Sequence, residues 1–477
     1  MSTIPPLKFV HASDLHLDRT LEGITEGPAH WEERMLDISL RTAERLFQRV
    51  IEENVDFLVL SGNVCNIPLA PPGILLFLVE AFERLHKAGI AVYWAGGEYD
   101  SPEDWTTAFT LPENVHFFPS NSIQEYYFQR TVDSEKIPVA KIVGMSRNQQ
   151  RKRIRSSEFP YDPSDIFTIA VANGEVEAET LSQRRMDYWA LGGASKRSVF
   201  HGNPRKKGPD GKPLRNEPAE NVKRDKKDLP PQPYIVHYPG QPLARTPQDI
   251  GTFGATLVEV PLAFDESKSN VPCPVDEPVL TYFSTSPIRW LNDTVTLSAT
   301  DDGGKLADEL RLRMKNYRDN QKADHLFINW FVDIPMGTLA SQLRRGALVA
   351  DLLSELRAMY GQDDPLTWSV SISVLVPERL SKEQYEQQTI TGDFLRSIEH
   401  FQNNGEEIVH LEKYVPNNFD ADVAKTLLLA DYADDEITAA DDKMPKQHWL
   451  QTQLQAETQH RILSEAAVTG AMILGKE

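Results

Sequence analysis

A carboxylate and an imidazole follow the first apolar segment of the chain. Asp14 and His16 come directly after Leu7–Ala12, whose apolar character predicts a buried strand. A carboxylate oxygen and an imidazole nitrogen two residues apart are types of ligand that divalent metal ions accept. Because Asp-x-His is also common in ordinary loops, the pair indicates a metal site only if other strand ends supply further ligands.

Four later segments also end an apolar strand with polar or glycine residues. They are Leu60–Asn66, Trp94–Asp104, Ile169–Gly174 and Asp187–Lys196. In open α/β sheets, functional groups gather at the carboxyl ends of the strands, so these segments are expected to share one site with Asp14 and His16. They contain few of the His and Asp residues that would complete a metal centre.

The five segments, taken in order, resemble the motifs of the calcineurin-like metallophosphoesterases, and among these the SbcD-type exonucleases of DNA double-strand-break repair. The family pattern is Asp-x-His, Gly-Asp, Gly-Asn-His-Asp, a lone His and Gly-His-x-His. The resemblance covers roughly residues 7–262 and includes the flanking Asp100-Ser101-Pro102 and Tyr238-Pro239-Gly240. It implies an α/β fold, a four-layer αββα sandwich with a smaller C-terminal α/β cap domain.

Most of the family's site residues are replaced in this chain. The family's metal-bridging Asp, Asn ligand, catalytic His, lone His and last two His fall on Asn63, Glu98, Tyr99, Asn173, Gly193 and Ser195. Two metal ions about 3.5–4 Å apart need a charged bridging ligand, and Asn63 has no charge. A phenol such as that of Tyr99, with an ordinary pKa of about 10, is a poor proton donor near neutral pH. We expect two-metal hydrolysis to be lost or strongly impaired.

A reduced metal site is one alternative. Asp14, His16 and Glu98, with Asn63 nearby, could hold a single Mn or other divalent ion weakly, with water completing its coordination. In the other alternative, Glu98 pairs with an Arg or Lys or faces solvent, and no metal or other cofactor is expected.

The charge of the chain limits how it could contact nucleic acid. The formal net charge of -20 argues against indiscriminate binding to a polyanion. One basic segment, Lys196–Lys227, has eleven Lys and Arg against four Asp and Glu, and a shorter basic run lies at Arg151–Arg155. We expect Lys206, Lys207, Lys226 and Lys227 to contact phosphate if DNA binds; a solvated surface loop is the alternative.

Composition indicates a cytoplasmic globular protein. Hydrophobic residues make up 40% of the 477 positions, and the mean hydropathy is -0.42. No apolar run approaches the roughly 20 residues that span a bilayer, so no membrane contact is expected. The first residues lack the pattern of a secretory signal, and two cysteines are too few for a disulfide framework.

The pattern of elements predicts several domains. Alternating strands and helices with a later hairpin predict an α/β domain over residues 1–262, with the basic insertion at 200–233, and the resemblance implies that this domain is metallophosphoesterase-like. A polar linker is predicted at 263–278 and a smaller α/β domain at 279–405, which the resemblance implies is a capping domain. Residues 406–477 are predicted to form an acidic segment and a C-terminal helix.

Three functions stay open from the sequence. The favoured one is a non-catalytic or strongly impaired DNA-repair-associated subunit, in effect a pseudoenzyme. The others are a residual Mn-dependent nuclease or phosphodiesterase and a protein-interaction scaffold without a nucleic-acid role. DNA, a large ABC-type ATPase subunit suggested by the resemblance, and a second copy of the chain are the candidate partners.

Overall fold

The computed structural model describes most of the chain. The described residues are 4–24, 27, 35, 37–105, 109–132, 134–147, 153–162, 164–176, 178–203, 233–264, 271–298, 300–320, 324–335, 338–361, 365–375, 385–403, 463, 466, 467 and 470. The candidate DNA contacts Lys206, Lys207, Lys226 and Lys227 lie outside them. So do Arg151 and the acidic segment at 431–442, and nearly all of the predicted C-terminal helix.

The first sheet has six strands, which are β1 Leu7–Ala12, β2 Phe57–Leu60, β3 Ala91–Trp94, β4 Val115–Phe117, β11 Gly254–Val260 and β14 Val279–Ser284. Their order in the sheet is β14-β11-β1-β2-β3-β4. Strands β1 to β4 run parallel, and β11 and β14 add an antiparallel edge beside β1. β14 begins where the sequence predicted the start of the capping domain, yet it completes this first sheet.

The second sheet has six strands, which are β5 Gln124–Val132, β6 Glu135–Gly144, β7 Phe167–Asn173, β8 Tyr188–Gly192, β9 Ser198–Gly202 and β10 Tyr234–Tyr238. Their order in the sheet is β5-β6-β7-β8-β10-β9. Strands β6, β7, β8 and β10 run parallel, and β5 and β9 are antiparallel edges. The hairpin predicted between residues 123 and 143 is the antiparallel β5–β6 pair.

The two sheets pack face to face around one apolar cluster. Phe9 and Phe57 from the first sheet and Ile169 and Tyr188 from the second are fully buried in it. Alternation along β1 sends Val10 to the opposite face, where it packs with the helices. Since parallel strands are usually covered on both faces, this arrangement is the expected one.

Two helices cover the outer face of the first sheet. They are α1 Ile38–Glu52 and α2 Pro72–Lys87, and both present an apolar stripe to the sheet. On the outer face of the second sheet, the buried Phe159 and Leu181 come from short 3₁₀ segments and their flanks. The described residues thus confirm a mixed α/β fold, with 3₁₀ turns in place of an α-helix on that last face.

Further elements complete the described chain. They are β12 Leu262–Phe264, β13 Pro272–Pro274, β15 Ile288–Thr296, α3 Gly303–Asn320, β16 His325–Asp333, α4 Thr338–Arg344, α5 Ala347–Tyr360, β17 Thr367–Val374 and α6 Ile390–Asn403. β12 pairs with β13, and β15, β16 and β17 form a three-stranded sheet. Gly346 lies between α4 and α5 with a φ of 87°, a left-handed conformation that separates the two helices.

The chain divides into two compact units. The first contains residues 1–292, 314–329 and 356–370, and the second contains 293–313, 330–355 and 371–477. No helix in the described ranges is both long and apolar enough to cross a bilayer.

Candidate functional site

Five strand ends meet at one edge of the first unit. Register pairs Ala12 with Leu60 and Leu60 with Trp94 in one sheet, and Asn173 with Gly192 in the other. The residues that follow these strands therefore emerge side by side, as the sequence predicted. Two hydrogen bonds join the sheets here, from Gly193 N to Asp14 Oδ2 at 2.9 Å and from Asn173 Nδ2 to the Ser61 carbonyl at 2.8 Å.

Asp14 lies at the centre of this edge and is 4% exposed. Its Oδ2 accepts hydrogen bonds from Ser13 Oγ at 2.6 Å and from Gly193 N, and its Oδ1 accepts one from Asn63 Nδ2 at 2.7 Å. Burial raises the pKa of the carboxyl group, and these three donors partly offset that rise. The carboxylate is thus held by protein donors on both oxygens.

The orientation of the Asn63 side chain is fixed by its neighbours. Its Oδ1 accepts a hydrogen bond from the backbone N–H of Glu98 at 2.9 Å. Because a backbone N–H can only donate, the oxygen of the amide must face Glu98 and its NH₂ group must face Asp14. A hydrogen-bond donor therefore points at Asp14 from the position where the family that the motifs resemble carries a bridging carboxylate.

Asp100 supports the loops that carry Asn63 and Glu98. Its fully buried carboxylate accepts hydrogen bonds from four donors, the Asn63, Val64 and Gly97 N–H groups and Trp94 Nε1, at 2.7–3.1 Å. Burial raises the pKa of Asp100 to about 7 against the lowering effect of these donors. One side chain thus fixes the backbone after both β2 and β3.

Close backbone approach explains the glycines of this edge. A Cβ on Gly97 would lie 2.3 Å from Asn63 Oδ1, and one on Gly192 would lie 1.9 Å from the Ser61 carbonyl oxygen. Three non-glycine residues here, Asp14, His16 and Asn63, adopt left-handed φ angles of 55°, 43° and 57°. Such conformations cost energy, so the surrounding contacts must hold them in place.

The side chains of Glu98 and Tyr99 contact Arg147, His16 and Arg19. The Glu98 side chain is 53% exposed, and its Oε2 lies 3.1 Å from Arg147 Nη1. The sequence left two alternatives for Glu98, a metal ligand or a partner of an Arg or Lys, and this ion pair corresponds to the second. Tyr99 contacts the His16 ring edge-on, with centroids 5.8 Å apart, and the Arg19 guanidinium lies 5.0 Å above its ring.

His16 and a buried arginine shape the loop after β1. His16 Nε2 lies 3.9 Å from Asp14 Oδ1, and burial, with the charges of Arg19 and Arg245, lowers the pKa of His16 to about 3. Arg245 is 4% exposed and donates to the carbonyls of Leu15, His16 and Arg19 at 2.6–2.9 Å. Sequence analysis missed Arg245, since it lies more than 220 residues from this loop and no motif marks it.

The second sheet contributes Asn173 and Gly193. Asn173 is 2% exposed, and its Oδ1 has no hydrogen-bond partner, although its Nδ2 is bonded to Ser61. Gly193 supplies only its backbone N–H to Asp14, and Ser195 is exposed and supplies its carbonyl to Gln241 N at 3.1 Å. The positions where the family that the motifs resemble carries three His residues therefore supply no imidazole.

A polar cluster lies between the sheets. His11 is fully buried, with Nε2 2.8 Å from Ser61 Oγ. Its Nδ1 lies 3.2 Å from both Tyr188 Oη and His237 Nδ1, and Tyr188 Oη lies 2.6 Å from the same His237 nitrogen. Burial lowers the pKa of His11 well below its ordinary value and that of His237 to about 3.

The residues at this edge do not fit a two-metal centre. Asn63 presents an NH₂ group to Asp14, and Glu98 is paired with Arg147 instead of facing the carboxylate. Within the described ranges, no group of three or more His, Cys, Asp and Glu is arranged to hold a metal ion. Weak binding of one ion by Asp14, His16, Glu98 and Asn63 stays a prediction.

Comparison with known proteins points to the same fold family as the motifs. The chain is 32% identical over 207 residues to the uncharacterized metallophosphoesterase YhaO of Bacillus subtilis (strain 168). The matched region is 41% of this chain and spans about half, 50%, of that relative. No family model matches the chain. The printed name of this relative agrees with the metallophosphoesterase superfamily that the motifs resemble.

Proposed function

We propose, from the premise of a metallophosphoesterase relative, that this chain is a phosphoesterase-like protein in which hydrogen bonds replace the two-metal centre. It would then be a non-catalytic or strongly impaired subunit. The observation that carries this proposal is the pair of hydrogen bonds made by Asn63, which accepts from the Glu98 N–H and donates to Asp14. An NH₂ group repels a cation, so this amide stabilises the Asp14 carboxylate in the place of a metal.

The proposed association with DNA repair comes from the motifs that resemble the SbcD-type exonucleases. With a net charge of -20, DNA contact would have to use a local basic surface. The candidate surface is the basic segment with Lys206, Lys207, Lys226 and Lys227, outside the described residues. A large ABC-type ATPase remains the proposed protein partner.

DNA binding and metal binding test the two parts of this proposal. Fluorescence anisotropy at low salt should show salt-dependent binding of linear double-stranded DNA that is lost when the four lysines become Glu. Calorimetry should show no saturable Mn²⁺ binding that depends on Asp14. DNA binding that is absent at low salt would favour the protein-interaction scaffold instead.

A residual phosphodiesterase is the second candidate function. One observation favours it: His16 Nε2 lies 3.9 Å from Asp14 Oδ1, so an imidazole nitrogen and a carboxylate oxygen lie close enough to contact one metal ion. Mn²⁺-dependent hydrolysis that disappears in Asp14→Asn would establish this function and overturn the proposal that hydrogen bonds replace the metal centre.

A further inference from the structure

Two imidazoles and a phenol converge on one point between the two sheets. His11 on β1, Tyr188 on β8 and His237 on β10 are all fully buried. His11 Nδ1 lies 3.2 Å from both His237 Nδ1 and Tyr188 Oη, and the last two atoms lie 2.6 Å apart. We call these three side chains the inter-sheet cluster, and Asp14 is not part of it.

The spacing of these three atoms is close to that of ligands around one metal ion. Nitrogen ligands lie about 2.0–2.1 Å from tetrahedral Zn²⁺, so the donor atoms of such a site lie about 3.3–3.4 Å apart. The two contacts of His11, both at 3.2 Å, already match this spacing. The contact between Tyr188 and His237 must lengthen by about half an ångström or more when a metal ion replaces the phenolic proton.

A hydroxyl group lies against the far nitrogen of each imidazole. His11 Nε2 lies 2.8 Å from Ser61 Oγ, and His237 Nε2 lies 3.3 Å from Thr256 Oγ1. Histidines that bind metals usually donate from their other ring nitrogen to such an acceptor, which fixes the tautomer. When both Nε2 atoms donate in this way, both Nδ1 atoms carry only lone pairs, and the inter-sheet cluster shares one phenolic proton. Buried lone pairs that are short of donors favour a cation.

The donor types of the inter-sheet cluster match a transition metal. Imidazole nitrogens suit Zn, Cu, Fe and Ni, whereas sets of carboxylates and carbonyls suit Mg, Ca and Mn. Tyr188 would bind as the phenolate, with its proton released to solvent, so that its negative charge offsets part of the charge of the ion. Burial raises the pKa of Tyr188 well above its ordinary value, and only a cation beside the oxygen can reverse that rise.

We propose that the inter-sheet cluster is a structural zinc site, with His11 Nδ1, His237 Nδ1 and the Tyr188 phenolate as its protein ligands. The ion binds as the chain folds, because the ligands are fully buried and structural metal sites form together with the fold. Since β1 belongs to the first sheet and β8 and β10 belong to the second, the ion joins the two sheets. This site is separate from Asp14 and goes beyond the proposed function.

The zinc content of the full chain tests this inference. The chain is produced in medium supplemented with Zn²⁺, desalted in the presence of EDTA and analysed by atomic emission. We expect about one zinc ion per chain, because a buried ion exchanges slowly while the protein stays folded. Tyr188→Phe keeps the ring and removes only the phenolic oxygen, and it should lower the bound zinc to less than about a tenth of that amount. His237→Gln should do the same.

The matched control is His116→Gln. His116 is a partly buried histidine of β4 that contacts Tyr93 and Tyr126, outside the inter-sheet cluster. This variant should keep its zinc, as should Asp14→Asn. Circular dichroism shows that each variant is folded, and the chain produced with Co²⁺ should show the visible absorption of a tetrahedral ion, which Tyr188→Phe abolishes.

Three results would overturn the inference. They are a zinc content below about a tenth of an ion in the unsubstituted chain, zinc that persists in both Tyr188→Phe and His237→Gln, and zinc lost equally from His116→Gln or Asp14→Asn. The first would show that hydrogen bonds alone hold the inter-sheet cluster together. None of these results bears on the hydrogen bond from Asn63 to Asp14 or on Mn²⁺-dependent hydrolysis, so the two proposals can fail separately.

Discussion

The side-chain amide of Asn63 donates a hydrogen bond of 2.7 Å to the carboxylate of Asp14, and the backbone N–H of Glu98 fixes the direction of that amide. Asp14 is also bonded to Ser13 and Gly193, so the strand ends of the two sheets are joined through one carboxylate. Three protein donors therefore hold the Asp14 carboxylate.

Replacing Asn63 by Asp should destabilise the metal-free protein. Two buried carboxyl groups would then lie in hydrogen-bond contact, which we expect to cost about 1–3 kcal/mol in the free energy of unfolding. The loss should be larger at pH 8 than at pH 5, because a proton shared between the carboxyl groups removes their repulsion. Urea unfolding at pH 5 and at pH 8 measures this loss in the free energy of unfolding.

The control for this substitution is Asn316→Asp, the same change on an exposed face of α3. Asn316→Asp should change the free energy of unfolding by no more than about 0.5 kcal/mol. Equal effects at the two positions, or a stabilised Asn63→Asp protein without metal, would argue that the Asn63 amide is not bonded to Asp14.

Replacing Asp100 by Asn should be costly, because the new NH₂ group cannot accept from the N–H groups now bonded to the carboxylate. We expect a loss of about 2–4 kcal/mol in the free energy of unfolding. Asp104→Asn, at an exposed position of the same loop, should change it by less than about 0.5 kcal/mol. Chemical denaturation of both variants checks this, and similar small losses in the two would contradict the role of Asp100.

The Glu98→Gln substitution should have little effect. The pair with Arg147 is half-exposed, and such pairs contribute about 0–1 kcal/mol. We expect thermal unfolding and any Mn²⁺ affinity to match the unsubstituted chain. A marked loss of Mn²⁺ binding in calorimetry would show that the carboxylate turns to Asp14 as a ligand.

The buried His237 should make the protein less stable as the pH falls. Its pKa of about 3 in the folded protein lies below the ordinary value of 6.5. The contribution of the neutral His237 to the free energy of unfolding is therefore complete above pH 6.5 and is lost as the pH falls toward 3. Stability should therefore decline less steeply between pH 6.5 and 4 in His237→Gln. The raised pKa of Asp100 acts in the opposite direction in both proteins and cancels in the comparison.

Urea titrations of the two proteins across this pH range measure the difference. An NMR titration of the imidazole gives the same pKa directly. A His237 that titrates near pH 6.5 would show that the cluster with His11 and Tyr188 is open to water.

Much of the first unit could be predicted from local pattern. The apolar runs of β1, β2 and β7 locate the strands, and their order predicts that the polar residues after them share one edge. Tyr188 and Trp189 stand among apolar residues in the sequence, a pattern that predicts core positions, and both are fully buried.

The contacts within the site could not be predicted in this way. Arg147 meets Glu98, and Arg245 meets the loop after β1, only because the fold brings distant segments together. The direction of the Asn63 amide likewise depends on a backbone N–H 35 residues away. The local sequence pattern predicts which types of residue lie at this edge of the sheets. The hydrogen-bond and ion-pair partners of those residues depend on the three-dimensional fold.

The most direct test of the central claim is a comparison of Mn²⁺-dependent hydrolysis by the unsubstituted chain and by Asp14→Asn. Linear double-stranded DNA and bis(p-nitrophenyl) phosphate serve as substrates at neutral pH. If hydrogen bonds have replaced the metal centre, the two proteins show the same background rate with and without Mn²⁺. A Mn²⁺-dependent rate in the unsubstituted chain that is absent in Asp14→Asn would contradict the claim.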